Sequence, residues 1–537
     1  MIKRARAGVA AVVTVLCAAG GVAAAGAPAG ASAAGTGFRF IFPGNLLVSE
    51  SFYTADPNIV AGQTQLPPGC TGANCVTATA NGTYPQVFNN ALVDGSFGVT
   101  SKIYLAEMTP GGFPITTIAV PASELVTSFS SKSELALNLS PDGRTVSFMG
   151  YAAAPDDVDV SNSNTPGVID PTNPVPSAFF RAVAQLSGNG NFAFTETNAY
   201  SGNNGRAAIT ADAGGQELIY TSGNAGNGGN PQPNGVILGA GTQLVHPSDQ
   251  PESAQSPGAP TPVGSFNITE LGDKADKIGK DDNFRGLTIF NNVLYYTKGS
   301  GGNGVNTVYF LDTTGQACPG GTGVPAPGAQ LPTAGLSYNL STLQANGLPS
   351  NMCILKGFNT TLAKTSTNSF PFGLWFANAG TLYVADEGNG TTTFADGRYT
   401  AAAAQSTAGL QKWVFDSAAG EWKLAYTLQA GLNLGQPYTV FGYPAGINAA
   451  TGLPWAPATD GLRNITGRVN PNGTVTIWAI TSTVSGSGDQ GADPNKLVAI
   501  TDPLSATSPA AGEGFRTVRA AGFGEVLRGV SFTPGSR

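Results

Sequence analysis

Arginine recurs at one place in this 537-residue chain, the first position of short hydrophobic runs. The runs are Arg206-Ala-Ala-Ile-Thr, Arg285-Gly-Leu-Thr-Ile-Phe, Arg463-Asn-Ile-Thr-Gly and Arg528-Gly-Val-Ser-Phe. A guanidinium offers a planar fork of donors that matches carboxylate, sulfate or phosphate. Brought together, these groups would form an anion site, with Asp282 among the acids expected on the same face. The architectural alternative is that each arginine pairs with an acid of a neighbouring repeat and ties the repeats together. Asp386 and Glu387 are adjacent carboxylates at the end of another hydrophobic run. Two carboxylates can hydrolyse a glycosidic bond, so this pair is the first candidate for catalysis, with a Tyr/Arg-assisted lyase as the other option. Adjacent residues on a strand point to opposite faces, however. Asp156, Asp157 and Asp159 concentrate hard oxygen ligands in one loop, as do the acids between Asp273 and Asp282. Calcium is the cofactor such loops would hold, although neither follows the twelve-residue helix–loop–helix spacing. The one histidine, His246, stands in Leu-Val-His-Pro-Ser without a Gly-x-Ser-x-Gly elbow, so a Ser-His-Asp mechanism has little support.

The elements that must position these residues are short strands. Between Phe370 and Leu428 there are four aromatic and β-branched runs separated by turn residues, the pattern of one four-stranded antiparallel unit. The unit recurs, which predicts an all-β chain folded as a β-propeller with one unit per blade. Inner strands are expected at Glu134–Leu139, Arg206–Thr210, Arg285–Phe290, Phe372–Ala377, Arg463–Val469 and Arg528–Phe532. Second strands follow tight turns such as Pro141-Asp-Gly and Pro471-Asn-Gly. Third and outer strands are less marked; for the blade opening at Arg206 they are placed at Val236–Leu238 and Gly264–Ile268. The last inner strand has no partner after it, and the run beginning at Asn45 has no inner strand before it. Joining the two closes the ring between the termini and gives six blades, with room for a seventh in segments 240–272 and 430–462. Long second-to-third-strand loops would share one face with the blade connections, around the channel mouth, where binding residues usually sit.

Composition fits this reading. Only 11% of residues are charged and 73 are glycine, while 41% are hydrophobic. The N-terminus carries Lys3, Arg4 and Arg6, an apolar Val9–Ala19 run and small residues to Ala33, the pattern of a secretory signal over residues 1–34, with the domain at 35–537. Its removal takes the net charge from −7 to −10, which suits neither nucleic acid nor an anionic membrane. No other run is long and apolar enough for a membrane span. A secreted, extracellular monomer is expected. Four cysteines remain, and the pairs Cys70–Cys75 and Cys318–Cys353 are the expected disulfides of three arrangements that the sequence leaves open.

Leu-Tyr-Val-Ala-Asp-Glu (382–387), Gly-Leu-Gln-Lys-Trp (409–413), Asn-Lys-Leu-Val-Ala-Ile-Thr-Asp (495–502) and Leu-Arg-Gly-Val-Ser-Phe-Thr-Pro (527–534) resemble secreted bacterial β-propeller proteins of the YVTN/NHL-like class, from about residue 284 onward. The resemblance implies blades but no particular reaction. The expectation is therefore a propeller that binds an extracellular ligand, carbohydrate or another polymer, at its loop-bearing mouth. A carbohydrate-active enzyme and a structural or adhesion protein are the alternatives.

Overall fold

Short runs that alternate large apolar residues with small ones, joined by Gly- and Asn-rich turns, produce strands almost everywhere. The computed structural model describes residues 41–537 apart from 54–59, 61, 67–75, 78–98, 130, 170–174, 176, 225–241, 253–282, 302–303, 319, 335–351, 364, 366–368, 450, 488–489 and 537. The signal segment, Cys70, Cys75, Asp282, Val236–Leu238 and Gly264–Ile268 lie outside the described residues. Six sheets form the blades of a β-propeller. Blade 1 is closed as expected: the C-terminal strand Glu525–Phe532 pairs antiparallel with Leu46–Phe52, Val530 opposite Val48, and Ile103–Met108 and Pro114–Ala119 follow outward.

Blade 2 runs outward from Asn138–Leu139 through Thr145–Tyr151, Arg181–Ser187 and Phe192–Thr197. Blade 3 comprises Gly205–Ala213, Gln216–Gly223 and Thr242–Val245 among the described residues. That third strand was not expected from the sequence, because only Leu244 and Val245 are strongly apolar before His246-Pro247. Blade 4 has Phe284–Phe290, Val293–Lys298, Thr307–Leu311 and Met352–Leu355, with Thr322–Gly323 added in parallel at its edge. The Cys318–Cys353 disulfide fastens this insertion to the outer strand. Blade 5 is Pro371–Asn378, Thr381–Asp386, Gly409–Asp416 and Glu421–Leu428; blade 6 is Ala458–Val469, Thr474–Val484, Lys496–Pro503 and Arg516–Ala520. The described residues of the segments considered for a seventh blade hold Thr242–Val245 of blade 3, the start of Ala458–Val469 of blade 6, loops and the small Ile447–Asn448/Leu453–Pro454 hairpin, and no further blade. The Ala-rich stretch contributes one short helix, Thr400–Ala403. No helix among the described residues is long and apolar enough to cross a membrane.

Adjacent blades bury apolar side chains between their faces. Tyr295, Phe290 and Phe376 pack together where blades 4 and 5 meet, with the Phe290 and Phe376 rings stacked 4.5 Å apart. A buried ion pair joins blades 5 and 6: Lys412 Nζ lies 2.9 Å from Asp502, and the hydroxyls of Tyr383 and Tyr426 donate to the same carboxylate. Near the axis there is little room for side chains. Gly286 faces the Phe372 carbonyl of blade 5, Gly373 faces the Arg463 carbonyl of blade 6, and Gly529 faces the Leu135 carbonyl of blade 2. A Cβ at any of the three would overlap backbone, which is why glycine stands inside these strands. Hydroxyls of the second strands complete the layer. Ser49 donates to Leu135 O (2.8 Å), Ser222 to Arg285 O (3.3 Å) and Thr297 to Phe372 O (2.6 Å), each crossing to the next blade.

This layer should be intolerant of one methyl group. Gly286→Ala is expected to destabilise the protein by about 1–3 kcal/mol or more through overpacking. Gly111→Ala, whose added Cβ would meet nothing nearer than 3.8 Å, should leave the melting temperature within a degree or two. Equal melting curves for the two variants would show that the inner strands are not in contact through these glycines.

Candidate functional site

Arg206, Arg285, Arg463 and Arg528 sit at the level of the glycine layer or just above it, on the face that carries the long loops. Each guanidinium turns toward its neighbours rather than outward, and all four arginines are buried, between 4% and 8% exposed. Arg206 reaches blade 4, donating to Asn283 Oδ1 and to Phe284 O at 3.1 Å. Arg285 donates to Ser133 and Ser300 and lies over the Phe372 ring, 6.0 Å from its centroid. Arg463 Nε donates to Glu387 at 3.2 Å, and Arg285 faces the other oxygen of that carboxylate at 4.0 Å. Arg528 donates to Ser51 and to Ser131 O. The structure thus brings Arg285, Arg463 and Glu387 together and gives Arg206 and Arg528 partners in adjoining blades.

The strand entering blade 2 supplies what the sequence did not reveal. Ser131–Glu134 crosses the channel mouth: Ser131 meets Arg528 of blade 1 and Asn204 of blade 3, and Ser133 meets Arg285 of blade 4. The ammonium of Lys132 acts on Glu387 of blade 5 and Asp460 of blade 6. Glu134 anchors the segment, accepting from Thr127 (2.7 Å), the Ser128 amide (3.0 Å), Tyr151 and Asn204 (2.7 Å). Leu135 takes φ +60° to turn the chain down into the inner strand.

The adjacent acids have separate surroundings, as their opposite pleat positions require. Asp386 is fully buried and accepts from the amides of Phe370 (2.8 Å) and Gly388 (3.0 Å) and from Gln411 (3.3 Å). Burial pushes its carboxyl up to about 7. For Glu387, burial also favours the neutral form, but Arg285 and then Arg463 outweigh it and hold the carboxyl below its usual range. Asp460, not singled out from the sequence, is buried beneath the same mouth, accepts from the Gly390 amide (2.8 Å) and Gln405 (2.6 Å), and is pushed by burial to about 6. Glu387 is thus a fixed anion between two guanidiniums, and Asp386 is a carboxyl without solvent access.

Asp156, Asp157 and Asp159 lie in the turn after Thr145–Tyr151. Asp157 accepts from the Ala154 amide at 3.1 Å, and Asp156 and Asp159 adopt φ near +60°, at +69° and +59°. Among the described residues no three His, Cys, Asp or Glu side chains gather as a metal site. His246 is a half-exposed loop residue whose Nδ1 is 2.9 Å from Glu252.

A second feature of the loop-bearing face was also not anticipated. The connection from blade 5 to blade 6 lifts Phe441 almost wholly into solvent, 89% exposed, and the connection from blade 6 to blade 1 exposes 46% of Phe523. The loop carrying Phe441 packs against Phe523: the Cβ that Gly442 lacks would lie 3.5 Å from that of Phe523. Tyr443, with Trp455, Phe129 and Val526, forms a buried base beneath them. Nearby, Lys496 Nζ stands 3.5 Å from the centre of the Tyr438 ring. The signal is faint in sequence: Val-Phe-Gly-Tyr (440–443) reads as a strand fragment until its neighbours show that it is a loop.

No protein-family model matches the chain, and no curated protein matches it. Among solved structures it is similar to an ulvan lyase of polysaccharide lyase family PL25 bound to -[GlcA(1-4)Rha3S]-, over 89% of this chain and 95% of that one, at 11% identity and TM-score 0.32. It is also similar to the hemagglutinin-neuraminidase ectodomain of parainfluenza virus 5, over 91% and 85%, at 10% identity and TM-score 0.27. The same viral protein with the ligand DANA at pH 7.0 matches over 81% and 84%, at 9% identity and TM-score 0.26. Likeness of this degree carries no inference about ligand or reaction.

The buried acids make stability depend on pH. A carboxyl whose folded value lies above its unfolded one stabilises the fold in its protonated state, fully below about pH 4, and that contribution is lost as pH rises through 6 to 7. The melting temperature should therefore fall between pH 5 and pH 8, and Asp386→Asn should flatten that slope. An Asp386→Asn slope identical to that of the parent would contradict the assignment of a protonated carboxyl.

Proposed function

We propose that the protein is a secreted, non-catalytic binding module whose loop-bearing face docks an extracellular carbohydrate polymer. The observation that carries the reading is the exposed pair Phe441 and Phe523 on a buried aromatic base. Exposed apolar surface held in place by a rigid scaffold marks a partner site, and an aromatic ring offers a flat apolar face to the C–H face of a sugar. Long loops on the same face supply hydroxyl and amide groups for its polar edges. The arginines and Lys132 around the mouth add a positive field that favours an acidic chain. The N-terminal signal pattern and the Cys318–Cys353 disulfide support export. Kinship with YVTN/NHL-like secreted propellers is part of the same reading. Catalysis by Asp386 and Glu387 fits the geometry less well. One is sealed from solvent, and the other is clamped in its ionised form.

The test is affinity electrophoresis of the protein through gels containing alginate, polygalacturonate or dextran, with reducing and unsaturated ends measured in parallel. Retardation by at least one polymer, weakened about tenfold in a Phe441→Ala/Phe523→Ala variant that melts as the parent does, is the expected result. Migration unaffected by every polymer, or retardation unaltered in the variant, would overturn the reading. New ends that disappear in Glu387→Gln would replace it with catalysis.

A further inference from the structure

The axial space on the opposite face, below the glycine layer, forms an open cavity of about 1030 Å³. That is the size range of small-molecule sites. All six inner strands border it through the halves that run toward the short hairpin turns. Three charged side chains line it. Asp142 and Arg144 pair with each other at 3.5 Å, and the Arg468 guanidinium lies over the rings of Trp478 (5.7 Å) and Phe532 (5.9 Å). Between them the wall is neutral. The Trp375 indole rests against Gly467, where a Cβ would collide with it. Its N–H, and the hydroxyls of Thr288 and Thr466, have no hydrogen-bond partner among the described residues, and all three side chains are only partly buried at the cavity wall. Ile289 and the stacked Phe290–Phe376 pair give the wall apolar surface between these groups.

We infer that this cavity is a second binding site, for a neutral pyranose ring. A sugar ring is the ligand class that presents C–H faces to aromatic and aliphatic walls and hydroxyls to scattered neutral donors and acceptors. The occupant is either a free sugar or the terminal ring of a glycan, since one opening serves both. The site is independent of the loop-bearing face, because the inner strands meet backbone to backbone between the two.

Saturation-transfer NMR of the full chain with the methyl glycosides of glucose, galactose, mannose and N-acetylglucosamine tests the inference, repeated with a short oligosaccharide of whichever sugar responds. At least one glycoside should show transfer. The isosteric pair Thr288→Val/Thr466→Val, expected to fold normally at two partly exposed positions, should weaken it about tenfold, as loss of two hydrogen bonds implies. Trp375→Phe should weaken it further. Phe441→Ala/Phe523→Ala should leave it unchanged, which separates this site from the polymer-binding one. Transfer confined to the end ring of the oligosaccharide identifies a glycan terminus, and transfer from the monosaccharide alone identifies a free sugar. Absence of transfer from all four glycosides, or transfer undiminished in the threonine double variant, would overturn the site.

Discussion

Six inner strands converge on one axis, and at their closest level there is little room for side chains. Gly286, Gly373 and Gly529 meet that condition directly, each allowing a neighbouring carbonyl to approach where a Cβ would stand. Blade 2 and blade 3 meet it with Ala136 and Ala207, whose backbones form a parallel bridge. Blade 6 is the exception and places Asn464 there, whose side-chain oxygen accepts from the Val530 amide at 2.6 Å. Buried carbonyls crowded in this way need donors, and the hydroxyls of Ser49, Ser222 and Thr297 supply them from one blade to the next. The same layer separates the two ends of the axis, so the mouth and the cavity on the opposite face can evolve independently.

The arginines follow from this geometry. A residue one step before the glycine layer enters a crowded, nearly water-free zone, and a guanidinium there must satisfy its donors within the protein. Arginine does so by reaching across to neighbouring blades, where it finds Glu387, serine hydroxyls and main-chain carbonyls. Lys412 with Asp502 does the same farther out between blades 5 and 6. Such pairs add little net stability relative to an apolar contact, but losing one partner leaves a charge stranded. Each blade therefore recognises its proper neighbour.

Much of this was legible in the chain. Repeated Arg-Gly-hydrophobic runs and tight turns after them placed the inner and second strands within a few residues, because pleat periodicity and turn chemistry are local properties. The unpartnered first and last strands gave the closure. The site was less legible. Arg285 and Arg463 were recognisable as a repeat, but their shared partner Glu387 lies 102 and 76 positions away in sequence. Lys132 and Asp460 belong to no motif, and Phe441 looks like an interior residue until its loop is seen to project. Register with distant blades, rather than residue type, determined their roles. Thr242–Val245 was missed because two apolar residues are too few to show a period.

Ser131 receives a hydrogen bond from Arg528, 397 positions later in the chain. The short segment to which it belongs also touches blades 3 and 4 and carries a charge felt by blades 5 and 6. It behaves as a keystone, since its full set of partners exists only after the last strand has joined the first. Formation of these contacts is then a late kinetic event, deferred by the long loop closure that precedes it. Their rupture is a natural first step in opening the ring, so resistance to unfolding is concentrated in a few residues at the centre of the disc.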